Sequence, residues 1–88
     1  MTNLENEIMA FDDWSHPKSF FKSISEKLPQ DDSELFKEIW KTANDTEIWG
    51  VHDQILSCRI TQTLIRNTYG LDDSATAKIV RAITHYWK

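Results

Sequence analysis

The chain has 88 residues, 40% of them hydrophobic, with four Trp, four Phe, two Tyr, one Cys and a net charge of −4. That length suits a single domain spanning 1–88, and the aromatic content argues against intrinsic disorder. A lone Cys58 with no CxxC or HxxxH spacing excludes an internal disulfide and a structural zinc, so an apolar core must supply the stability.

Two glycines and two prolines leave little material for β-turns, and five amphipathic helical segments are predicted. The first runs from about Asn3 to Phe11 or Trp14, with Leu4, Ile8 and Phe11 on one face. At "SHP" the chain restarts, because Pro17 suits a first helical position where its missing N–H costs nothing. Phe20, Phe21, Ile24 and Leu28 form the second apolar face, and Pro29 stops it. "DDSE" starts the third segment, with Asp31 as N-cap and Glu34 placed like the acid of a capping box. Behind it, Leu35, Phe36, Ile39, Trp40 and Ala43 make a broad stripe.

"ANDTE" opens a long fourth helix, predicted from Glu47 to Tyr69. Within it "SCRITQTLI", rich in Thr and Ile, also fits a strand in isolation. Gly70 takes the left-handed position after the helix, Asp72 caps a fifth helix, and Leu71 is placed to staple its first turn. The expected fold is therefore all-α: a compact bundle of about five short helices, with a long central fourth helix and a C-terminal helical hairpin.

Projected at about 100° per residue, the fourth helix carries two apolar stripes. Ile48, Val51, Ile55, Cys58, Ile65 and Tyr69 share one face; Trp49, Leu56, Ile60 and Leu64 share another. One flank between them holds His52, Arg59, Thr63 and Arg66, and the other holds Gln54, Ser57 and Thr61. Either neighbouring helices cover both stripes, or the second is an interface. An exposed contiguous apolar surface marks such a site, and Trp is common at binding hot spots. Trp49, Leu56, Ile60 and Leu64 are accordingly the first candidate contact residues.

The closing hairpin supplies the second set: Arg59, Arg66, Lys78 and Arg81. Its glycine turn fits a helix-turn-helix, which makes nucleic-acid binding through this hairpin the alternative reading. Against it, the second helix would lead with Asp72 and Asp73, which repel phosphates. "LDDSA" is similar to the Asp-Ser-Leu turn of acyl carrier proteins. Ala75 replaces the leucine, however, and only 14 residues follow Ser74, too few for the rest of that fold.

Catalysis finds no support in residue spacing. His52 and Cys58 would stand about 240° apart around one helix, outside the reach of a nucleophile–base pair. The acid pairs Asp12-Asp13, Asp31-Asp32 and Asp72-Asp73 all fall at helix ends, where capping accounts for them. No catalytic residue, metal ligand or cofactor is expected.

The function expected is non-catalytic protein binding, by an adaptor, inhibitor, immunity-type or assembly subunit. Residues 1–44 hold nine acids against five lysines, while 45–88 hold five acids and five bases. That asymmetry favours a protein partner with a basic surface; self-association is a further expectation. The acidic N-terminus has no signal-peptide pattern, and no run approaches the roughly 18 apolar residues of a membrane helix. A cytoplasmic location without membrane contact is expected.

Overall fold

The computed structural model describes residues 3–51 and 53–87. His52, weighed above, lies outside the described residues. Within the described residues, six α-helices and one short 3-10 turn follow one another: α1 Asn3–Ala10, the 3-10 turn Pro17–Ser19, α2 Phe20–Lys27, α3 Gln30–Ala43, α4 Thr46–Trp49, α5 Gln54–Tyr69 and α6 Asp73–Tyr86. Among the described residues there is no strand, and "SCRITQTLI" is helical throughout. The all-α bundle and its C-terminal hairpin are as the sequence implies.

The boundaries follow the local chemistry, with two differences. α3 begins at Gln30 with Pro29 at its N-cap, not at Asp31, and no side chain caps it. Pro29 both stops α2 and opens α3, and the Ser33 N–H donates to its carbonyl at 2.8 Å. Asp31 and Asp32 fall in the first turn, where their charge still opposes the helix dipole.

The second difference has more consequence. The predicted helix from Glu47 to Tyr69 is interrupted after Trp49 and resumes at Gln54. Asp45 caps α4 by accepting from the Glu47 N–H, and Asp53 caps α5 by accepting from the Leu56 N–H, each at 2.8 Å. Gly50 ends the first piece; a Cβ there would stand 2.7 Å from the Thr46 carbonyl oxygen. The restart re-phases α5, so the two expected stripes do not continue across the break.

α6 is the centre of the molecule. It packs on α5, α1, α3 and the 3-10 turn. Ala75, Thr76, Ile79, Ala82 and Ile83 on it are completely buried. Beneath lies an aromatic group: Phe20 meets Phe11 at 5.0 Å and Trp40 at 5.8 Å between ring centroids, and Phe21 stacks on Phe36 at 5.3 Å. Leu4, Ile8, Phe11, Ile24, Phe36, Ile39 and Ala43 are buried, as their spacing predicts, whereas Leu35 at the edge of its stripe is exposed.

Candidate interaction face on α5

α5 packs against α3, α4 and α6, and the strip it turns inward is unexpectedly polar. Ser57, Thr61 and Ile65, spaced four apart, are fully buried. Ser57 Oγ donates to the Ile48 carbonyl at 3.0 Å, satisfying a helix-end acceptor of α4. Thr42 and Tyr69 share a hydroxyl hydrogen bond of 3.1 Å between α3 and α5, and the Cys58 sulfur lies 3.5 Å from the Thr84 hydroxyl of α6. Small side chains let the helices approach closely. Ser57 and Thr61, from the flank that lay between the apolar stripes, thus share the contact with Ile65, whereas Gln54, Ile55 and Leu56 stay exposed.

This placement corrects the apolar assignments one by one. Val51 and Ile55, grouped with Ile65 as one face, are 74% and 73% exposed. Leu56 is 42% exposed. Ile60 and Leu64 are half-buried and are not among the side chains packed on the core. Trp49 is the exception: at 6% exposure it belongs to the core, and its indole N–H donates to the Ala43 carbonyl at 2.8 Å. Closing the C-terminus of α3 is the reason it points inward, and it is unavailable as a contact residue.

The four cations also separate. Lys78 is half-buried, and its ammonium donates to the carbonyls of Met9 at 2.7 Å and Phe11 at 3.1 Å. It therefore holds the C-terminal end of α1, a favourable place for positive charge. Arg81 lies over the Trp14 ring, 3.9 Å from its centroid. Arg66 pairs with Asp73 at 3.4 Å, both side chains well exposed. Arg59 alone of the four makes no side-chain hydrogen bond, ion pair or ring contact among the described residues.

What the structure brings together is a strip along the outside of α5. Ile55 and Leu56 begin it, Arg59 follows one turn later, and Ile60, Thr63, Leu64 and Asn67 continue it. Three shallow hollows lie along this strip, and Arg59 borders each. Leu56, Ile60, Leu64 and Arg59, expected from the sequence as contact residues, lie along this strip, and Ile55, expected on the other stripe, lies there too. Gly50 and Asp53 were the signals that would have placed it, a stop and a cap only three residues apart. Among the described residues, no three His, Cys, Asp or Glu side chains converge as a metal would require, and no helix is long and apolar enough to cross a membrane.

The chain matches no protein-family model, no curated protein and no solved structure.

Proposed function

We propose that the chain is a small non-catalytic protein-binding module of the adaptor, inhibitor, immunity or assembly kind, with the outer face of α5 as its contact surface. The observation that carries this reading is the exposure of Ile55 and Leu56 in the first turn of α5, where both line one shallow hollow with Arg59. Contiguous exposed apolar surface marks an interaction site, whereas singly scattered surface hydrophobics need no explanation. Ile60 and Leu64 extend the patch down the helix at four-residue spacing. The proposed contact set is Ile55, Leu56, Arg59, Ile60 and Leu64. A cytoplasmic setting belongs to the same reading.

The nucleic-acid alternative has weaker support. Of the cations that would serve it, Lys78 is turned inward onto α1, Arg81 lies on Trp14 and Arg66 is paired with Asp73. Asp72 and Asp73 stand at the leading end of the helix that would enter the groove.

Affinity capture with the full chain, from nuclease-treated extract, tests the proposal when wild type is compared with Ile55→Asp and Leu56→Asp. Both variants should fold, and both should lose a stoichiometric protein that wild type retains. Equal retention by all three chains, or unfolding of both variants, would remove α5 as the contact surface.

A further inference from the structure

We propose that the outer face of α5 receives an amphipathic helix of another protein whose apolar side is bordered by carboxylates. This rests on the protein-binding reading and specifies the partner's chemistry.

Charge is the first argument. The chain is acidic overall, yet α5 from Gln54 to Tyr69 carries Arg59 and Arg66 and no carboxylate. Every other α-helix bears at least one acid: Glu5 in α1, Glu26 in α2, Asp31 in α3, Glu47 in α4, Asp73 in α6. The apolar strip therefore has a local charge opposite to that of the molecule. Whole-chain charge suggests a basic partner, but a docking surface is read by the charges that border it.

Position is the second. Arg59 stands four residues after Ile55 and three after Leu56, within one turn of both on the helix surface. A guanidinium there, with no ion pair of its own, offers a planar fork to a carboxylate arriving beside apolar surface. As that surface is covered and water leaves, the pair strengthens. Asp53 borders the first hollow together with Arg59 but makes no ion pair with it, and one of its oxygens already accepts from the Leu56 N–H.

Length is the third. Ile55 to Asn67 spans roughly 18 Å at 1.5 Å per residue, or about three turns, which matches a short helix with three or four apolar anchors. A second copy of α5 fits less well. Pairing across a two-fold axis centred near Ile60 sets Arg59 beside its own symmetry copy, with no carboxylate within α5 to separate them and Asp53 about a turn and a half away.

The test is selection of displayed random 16-residue peptides on the immobilised full-length chain, with counter-selection on Ile55→Asp, alongside sedimentation of the chain at rising concentration. The expected survivors carry apolar residues at three- and four-residue spacing with Asp or Glu at the edges. They should bind Arg59→Glu about tenfold more weakly, and Arg59→Lys should recover part of the loss. Survivors that depend on Ile55 but are basic or uncharged would overturn the acidic partner while leaving α5 a binding face. No Ile55-dependent survivor would overturn both readings. Wild type sedimenting as a dimer, with Ile55→Asp monomeric, would assign the face to a second copy and overturn the inference.

Discussion

α5 and α6 form one hairpin, yet they use their side chains in opposite ways. α6 spends nearly everything inward: Ala75, Thr76, Ile79, Ala82 and Ile83 are fully buried, Lys78 reaches back to α1, and Arg81 covers Trp14. α5 buries Ser57 and Thr61 and leaves Ile55 and Leu56 in solvent. Composition alone would reverse the roles, since α5 has the larger apolar residues. Packing is decided by which strip lets backbones approach, so small residues take part in both contacts: Ser57 and Thr61 beside Ile65, Ala75 and Ala82 beside Ile79 and Ile83. A helix whose small residues do the packing has its large ones free for other use.

The largest effect should come from the helix that is used up. Ile79→Ala removes a completely buried side chain where α6 is hemmed in by its neighbours, so the site cannot collapse. Urea denaturation should show a loss of about 2–4 kcal/mol. A loss under about 1 kcal/mol would mean that α6 is not the centre of the core and that its contrast with α5 is false.

How far this contrast was legible depended on the kind of signal. Helix ends written in single residues were readable: Gly70 adopts φ 66°, Asp72 accepts from the Ser74 N–H, and Pro17 opens its turn. The inward face of α6 was readable because apolar periodicity and burial coincide there. α5 was not, for two physical reasons. Periodicity was projected from α4, which ends at Trp49, straight into α5, which begins at Gln54, and this carried Val51, Ile55 and Trp49 into stripes they do not share. Burial of Ser57 and Thr61 also reverses the usual rule, because Ser57 finds its acceptor in the Ile48 carbonyl, on a segment the projection had made part of the same helix. Of the candidate cations, nothing in sequence spacing marked Lys78 as bound to a chain segment 69 residues away.

Lys78→Met sharpens the comparison at the next level. It keeps much of the side chain's apolar stem but deletes a charged donor to two carbonyls at the end of α1. The expected cost is about 1.5–3 kcal/mol by thermal or chemical denaturation. Arg59→Met on α5 should cost almost nothing by the same measurement. Equal costs would place both cations in the same role.

Smaller still is the effect of joining the two helices differently. Nothing lies within 4 Å of a Cβ added at Gly70, so Gly70→Ala meets only the backbone penalty of a positive φ. About 1 kcal/mol should be lost. Asn, which tolerates the left-handed region, should recover part of it, whereas full tolerance of Ala would mean the turn relaxes to another geometry.

The smallest stability change should fall on α5 itself, and it separates folding from binding. Ile55→Asp replaces a side chain that is 73% exposed, so urea denaturation should shift by no more than about 0.5 kcal/mol. Ile65→Asp, ten residues along the same helix, puts a carboxylate where nothing is exposed and should unfold the chain. The same substitution at an exposed and at a buried position of one helix thus distinguishes a side chain that holds the bundle from one that does not. If Ile55→Asp destabilises nearly as much as Ile65→Asp, the outer face of α5 is covered within the monomer and no docking surface remains there. If it leaves the fold unchanged, a large apolar residue is being kept in water without a folding reason, and contact with another molecule is the physical role left to it.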